Sequence, residues 1–166
     1  MNWEFPGSLC SYGELLRETG RFEEAEKAYG EALPMIERLV QADYHPLDNV
    51  WHLGRENEEY AKVLLALGRD TLARRHLTRA IELYREVNRQ EPDATSDQRS
   101  LAVCLGLLGK EMADHGEGRR GRKLLEEALK LSEQAARQDP GSVRAQREML
   151  AIRERFEEVE PKMANR

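Results

Sequence analysis

The stretch that decides the fold is the second of three related segments, and from residue 53 to residue 84 it reads LGRENEEYAKVLLALGRDTLARRHLTRAIELY. Its large apolar residues recur at helical spacing in two blocks, first Leu53, Tyr60, Leu64 and Leu67, then Leu72, Leu77, Ile81 and Tyr84. Gly68 separates the blocks, and glycine readily adopts the left-handed conformation that ends a helix. The stretch therefore predicts two helices joined as a hairpin.

The segment recurs with a fixed period along the chain. Two sets of small residues each lie forty-eight residues apart, namely Gly20, Gly68 and Gly116, and Ala32, Ala80 and Ala128. A period of this length is typical of stacked repeats, in which each hairpin buries its apolar face against its neighbours. The sequence therefore predicts an array of hairpins.

The small and large residues of each segment resemble the tetratricopeptide repeat. In that family the first helix carries a large residue, a large and small pair and a further large residue, and the second helix carries small, aromatic and small residues. The second segment has Asn57, Tyr60-Ala61, Leu64, Ala73, Leu77 and Ala80 at these positions. The first has Leu9, Tyr12-Gly13, Leu16, Ala25, Tyr29 and Ala32, and the third has Leu105, Leu108-Gly109, Met112, Gly121, Leu125 and Ala128.

The period departs from the thirty-four residues usual in that family. The resemblance is therefore to a long-period variant, as in bacterial multidomain signalling proteins. It implies an all-α fold, a right-handed α-solenoid of three helical hairpins and a C-terminal capping helix. We place repeats at about residues 6–45, 48–92 and 96–140 and the capping helix at about 142–160, in a single domain over residues 1–166.

Composition narrows the classes of function. The formal net charge of −5 argues against broad attraction to nucleic acid or to an anionic membrane. No apolar run approaches the roughly 18 residues that a membrane span needs, and the first residues do not resemble a signal sequence, so we expect the cytoplasm. Cys10 and Cys104 have no metal-type spacing, which predicts free thiols.

Motifs that carry chemistry are absent from the sequence. It has no glycine-rich phosphate loop, no nucleophile elbow and no paired-histidine metal motif. His52 and Glu56 share a helix face at a spacing of four residues, which supplies two metal ligands and no third. We therefore expect no catalytic residue, no metal site, no cofactor and no enzyme activity.

The inner surface of such an array comes from the first helices, on the stripe that is expected to be free of packing. This stripe holds Trp51, Arg55, Glu58, Lys62 and Leu65 in the second segment and Arg99, Val103, Gly106 and Lys110 in the third. In the first segment it holds Trp3, Gly7, Cys10, Glu14 and Arg17. Tryptophan and arginine are the residue types richest in binding hot spots, which makes the stripe a candidate site for a partner. The alternative is that Trp3 and Trp51 pack against a neighbouring helix.

A basic cluster near the start of the sixth predicted helix is a second candidate surface. Arg119, Arg120, Arg122 and Lys123 could contact an acidic partner or an RNA backbone. The alternative is a solvated surface paired with Glu126 and Glu127 one turn on.

The sequence thus predicts a scaffold that binds a protein or peptide in the groove lined by its first helices. Self-association is the alternative, since exposed apolar residues such as Leu65 and Leu107 could be buried in a homo-oligomer. RNA binding through the basic edge ranks third. The sequence does not identify the partner.

Overall fold

The computed structural model describes residues 4–42, 47–91 and 95–164. For residues 95–97 and 160–164 it describes the backbone only. Within the described ranges the chain forms seven α-helices and no strand. Their bounds are α1 Glu4–Glu18, α2 Phe22–Ala42, α3 Leu47–Ala66, α4 Asp70–Gln90, α5 Thr95–Asp114, α6 Gly118–Gln138 and α7 Val143–Ala164. The all-α fold predicted from the sequence is confirmed.

The three repeated glycines end the first helix of each hairpin. Gly20, Gly68 and Gly116 have φ angles of 76°, 67° and 90°, in the left-handed region that side chains disfavour. At the first turn the Arg21 amide donates to the Leu16 carbonyl at 2.8 Å and the Gly20 amide donates to the Arg17 carbonyl at 3.1 Å. The same pair of bonds recurs at the other two turns. The period in the sequence is therefore the period of a glycine-terminated helix end.

The chain divides into two compact units, Met1–Leu83 and Tyr84–Arg166, and the division falls inside α4. In the first unit α2 packs against both α1 and α3. Tyr29 is wholly buried there, and its ring stacks on that of Tyr60 with 5.7 Å between centroids. A methyl group on Gly13 would lie 2.8 Å from Cε2 of Tyr29, so the small residue of the repeat makes room for the aromatic one.

In the second unit α5, α6 and α7 all pack against one another. The closest approach is between α5 and α6, where a methyl group on Gly121 would lie 2.3 Å from the backbone oxygen of Gly109. Ser142 caps α7 by accepting a hydrogen bond from the Ala145 amide at 3.2 Å. A capping helix was expected at about 142–160, and α7 occupies Val143–Ala164.

The predicted helix register also agrees with burial. Ala32, Ala80 and Ala128 are each fully buried, as expected for the small residue at a close helix contact. The division into repeats and the single domain remain predictions. None of the described helices is both long and apolar enough to cross a membrane.

Candidate functional site

A groove of about 740 Å³ opens between the first helices of the first unit. α1 and α3 form its walls and Ile36 of α2 contributes to its lining. The wall of α1 carries Glu4, Gly7, Ser8, Cys10 and Ser11, and the wall of α3 carries Asn49, His52, Arg55 and Glu56. Three residues of the stripe predicted from the sequence, Gly7, Cys10 and Arg55, therefore line one groove.

Ion pairs join the two walls beside this groove. Arg55 of α3 donates to Glu14 of α1 at 2.8 Å, and Nε of Arg17 in α1 lies 3.0 Å from an oxygen of Glu59 in α3. These contacts cross between helices, so they fix the position of α3 relative to α1. Glu59 was not among the predicted site residues, although the polar run at 56–59 inside an amphipathic helix was visible in the sequence.

Four consecutive polar residues of α3 are buried, which is costly unless each has a partner. Glu56, Asn57, Glu58 and Glu59 are between 1% and 9% exposed. Lys62 Nζ donates to Glu58 at 2.6 Å and to Glu59 at 2.7 Å. Asn57 donates to the Leu53 carbonyl at 2.8 Å, and its amide oxygen lies 2.8 Å from Nδ1 of His76.

Glu56 has the weakest compensation of these acids. Burial raises the pKa of its carboxyl, and the opposing effects of the Arg55 guanidinium and the Cys10 thiol do not cancel that rise. Burial likewise raises the pKa of the Cys10 thiol, and the Glu56 charge adds to the effect. Cys10 is therefore a neutral hydrogen-bond donor at neutral pH. Neither Cys10 nor Cys104 forms a disulfide, as predicted, and both side chains are buried.

His52 and Glu56 differ in exposure, although they share a helix face. His52 is exposed on α3, whereas Glu56 is buried at the groove wall. Among the residues that the structure describes, no third side chain joins this pair at ligand distance.

Trp51 lies one turn before Arg55 and is half-buried. Its ring meets that of His52 edge-on, with 5.2 Å between centroids, and its buried Nε1 has no hydrogen-bond partner among residues 4–42, 47–91 and 95–164. Trp51 is thus partly packed and partly exposed. Its environment is compatible with binding a partner and with packing against a neighbouring helix. Trp3, the equivalent residue one period earlier, lies outside the described residues.

The expectation that the whole stripe is free of packing is wrong at three positions, because Cys10, Glu58 and Gly106 are buried. Glu58 is buried and held by Lys62, and Leu65 beyond it is half-buried. Gly106 is buried in the second unit, where a methyl group on it would lie 3.2 Å from Cγ1 of Ile152 in α7. Gly106 packs because α7 lies against α5 in the second unit.

The stripe of α5 is largely covered by α7. Arg99 donates to Glu148 of α7 at 2.8 Å, and Lys110 contacts Asp114 and lies 3.5 Å from Glu158. Val103, which lies between Arg99 and Lys110 in the sequence, is half-buried. The predicted residues of the third segment are therefore engaged with the capping helix, and the open part of the stripe lies in the first unit.

The basic cluster of α6 is partly neutralised by nearby acids. Arg120 pairs with Glu117 at 2.6 Å, and Arg122 pairs with Glu126 at 2.9 Å. Arg122 also lies over the ring of Phe156, 5.4 Å from its centroid. Arg119 and Lys123 are exposed on the same turn. The pairing with Glu126 follows the alternative weighed from the sequence.

Helical hairpins joined by left-handed glycines, with small residues at the close contacts, define a helical-repeat protein. Residues 8–46, which include most of α1 and all of α2, match the tetratricopeptide repeat family. The predicted likeness to that family is thereby confirmed, while the forty-eight-residue period is outside what the match covers.

A de novo designed helical repeat protein has a similar structure. It is 15% identical in sequence, the alignment covers 96% of this chain and 80% of that chain, and the TM-score is 0.42. No curated protein has a sequence that matches this one.

Proposed function

We propose that the chain is a protein-binding module and that the groove between α1 and α3 takes a peptide or a partner helix. Tetratricopeptide repeats generally mediate protein–protein interaction, usually as scaffolds without enzyme activity. The observation that carries the proposal is the open groove at the predicted stripe, with half-buried Trp51 one helical turn from Arg55 of its wall.

The chemistry of the groove suits a peptide. Its volume falls in the range of ligand clefts, and its lining combines an apolar residue, Ile36, with several polar groups that could fix an orientation. Trp51 offers a large rigid surface beside the groove, and the exposed part of its ring could pack against a bound peptide. Tryptophan at such a position is a typical binding hot spot.

Replacing Trp51 with alanine tests this proposal. Peptides selected from a displayed random library against the whole chain should bind the variant about 2 kcal/mol more weakly, roughly thirtyfold in Kd, because the anchor is removed. Binding is measured by fluorescence anisotropy and helix content by circular dichroism. Helix content should not change, since the side chain is only half-buried.

The basic cluster provides a control for the same peptides. A variant with Arg119, Arg120, Arg122 and Lys123 all replaced by serine should bind them as the original chain does. Peptides that bind Trp51→Ala at full affinity, or a library that yields no peptide dependent on the groove, would remove the groove from the proposal. A cluster variant that loses binding would move the site to α6.

Self-association is the second candidate, and one observation favours it. Phe5, Tyr12 and Leu15 share a face of α1 and are 57%, 48% and 56% exposed. Leu65 and Leu107, on which the sequence argument for an oligomer depended, are half-buried, so α1 replaces them as the apolar surface. Light scattering over a concentration series separates a dimer from a monomer.

A further inference from the structure

We propose that the groove between α1 and α3 takes a positively charged side chain of the bound peptide, arginine or lysine, with Glu56 as its counter-ion. This inference rests on the proposed function and names the chemistry of the partner.

The carboxylates around the groove outnumber the cations that compensate them. Three cations each have a close carboxylate partner, Arg55 with Glu14 at 2.8 Å, Arg17 with Glu59 at 3.0 Å and Lys62 with Glu58 at 2.6 Å. Glu4 and Glu56 are the further acids, and both line the groove. Glu56 accepts a hydrogen bond from the neutral Cys10 thiol, which brings no charge. Nη1 of Arg55 lies 3.7 Å from Glu56, beyond hydrogen-bond distance, because the guanidinium is directed to Glu14.

The hydroxyl groups of the α1 wall act as acceptors toward the groove. Ser8 Oγ donates to the Glu4 carbonyl at 2.7 Å and Ser11 Oγ donates to the Gly7 carbonyl at 3.1 Å, so the hydrogen of each is used within the helix. Each oxygen retains lone pairs that can accept a bond. A wall with acceptors and a carboxylate is complementary to the N–H donors of a guanidinium or an ammonium group.

Tyr29 supplies an independent observation beneath this wall. It is fully buried, and within the described part of the chain its hydroxyl has no hydrogen-bond partner. Its ring stacks on that of Tyr60 in α3 and lies against Gly13 of α1, so the ring sits between the two helices that form the groove walls. Burial raises the pKa of its hydroxyl, and the charges of Glu56 and Glu59 raise it further. A buried hydroxyl with unused donor and acceptor capacity marks a polar position that the chain does not itself satisfy.

A bound cation would also reduce the cost of keeping Glu56 charged. Burial raises the pKa of this carboxyl because the protein interior solvates its charge poorly. An added positive charge at hydrogen-bond distance would lower that pKa again. The groove therefore gains more from a cationic side chain than from a neutral one of the same shape.

A pair of small probes tests the inference on the whole chain. N-acetyl-arginine methylamide and its citrulline analogue have nearly the same shape and differ in charge. Titration followed by amide NMR shifts should show the arginine compound perturbing Ser8, Ser11 and Glu56 at concentrations at which the citrulline compound does not. Equal shifts from both compounds, shifts elsewhere in the chain, or no shift with the arginine compound would overturn the inference.

A matched pair of variants locates the charge. Glu56→Gln keeps the size of the side chain and should weaken binding of the arginine compound by about tenfold, since one partly buried charge pair is lost. Glu31→Gln makes the same change on the exposed surface of α2 and should bind as the original chain does. Equal effects of the two variants would mean general attraction to an acidic protein and would overturn the role of Glu56.

The outcome can be separated from that of the proposed function. Library peptides that bind the groove through Trp51 but contain no arginine or lysine would contradict this inference and leave the proposed function standing. Should Glu56→Gln fail to fold, the comparison of the arginine and citrulline compounds on the original chain still decides the matter.

Discussion

The Gly121→Ala variant should lose roughly 2 to 3 kcal/mol of its free energy of unfolding, the range typical of overpacking. Its new methyl group would lie 2.3 Å from the backbone oxygen of Gly109 and 2.9 Å from the backbone nitrogen of Ala113. Backbone atoms cannot rotate away as a side chain can, so α5 and α6 must separate. The better helix propensity of alanine, about 1 kcal/mol, offsets only part of this loss. Urea unfolding followed by circular dichroism measures the change.

The Gly30→Ala variant is the control for this experiment. Gly30 also lies inside a helix, but the nearest atom to a methyl group there is the Tyr60 hydroxyl oxygen at 3.4 Å, an ordinary contact. This variant should be unchanged or gain up to about 1 kcal/mol from helix propensity. If both variants were equally stable, the close approach of α5 and α6 would be wrong.

Replacing Lys62 with methionine should lower the free energy of unfolding by roughly 3 kcal/mol near neutral pH, because it removes the cation that two buried carboxylates share. Glu58 and Glu59 have side chains only 8% and 12% exposed, and Lys62 donates to both. Methionine retains much of the length of the side chain and removes only the charge. Lys27→Met, at an exposed position of α2, serves as the control and should change stability little.

The stabilising contribution of Lys62 should depend on pH in a definite direction. Burial alone would lower the pKa of the Lys62 ammonium, but the Glu58 and Glu59 charges outweigh it and raise that pKa. A raised folded pKa means that the stabilising contribution is present below the ordinary lysine value of about 10.4 and is lost as pH rises through the folded value. The Lys62→Met variant has no ammonium group at this position, so the stability difference between the two chains should shrink as pH rises through the folded value. A difference in stability that stayed constant from neutral to strongly alkaline pH would contradict the role assigned to the charge.

The helices and their turns could be predicted from the sequence because their causes are local. Apolar residues at helical spacing place one face of each helix in the core, and a glycine with positive φ ends the first helix of each hairpin wherever the period repeats. The burial of Ala80 follows from the same periodicity, since small residues permit close helix contacts. The likeness to the tetratricopeptide repeat depends on this pattern too.

The composition of the candidate site could not be predicted in full, because it depends on distances between helices that the periodic pattern does not contain. Periodicity assigned Arg55, Glu58 and Gly106 to one stripe, but their environments differ in the structure, since Arg55 lines a groove while the other two are buried. Glu59 forms an ion pair with Arg17 of a different helix, forty-two residues earlier in the chain. Neither fact can be read from a helical repeat alone.

The sequence by itself determined which residues form helices, where the helices end and which small residues mark close contacts. Only the tertiary structure decided that α7 covers the stripe of α5 while a groove remains between α1 and α3. The physical reason is that the separation of two helices depends on the combined volume and charge of side chains from both, at every level of the contact. A periodic pattern identifies the face that a helix presents, whereas the neighbour that meets this face determines whether it is closed or open.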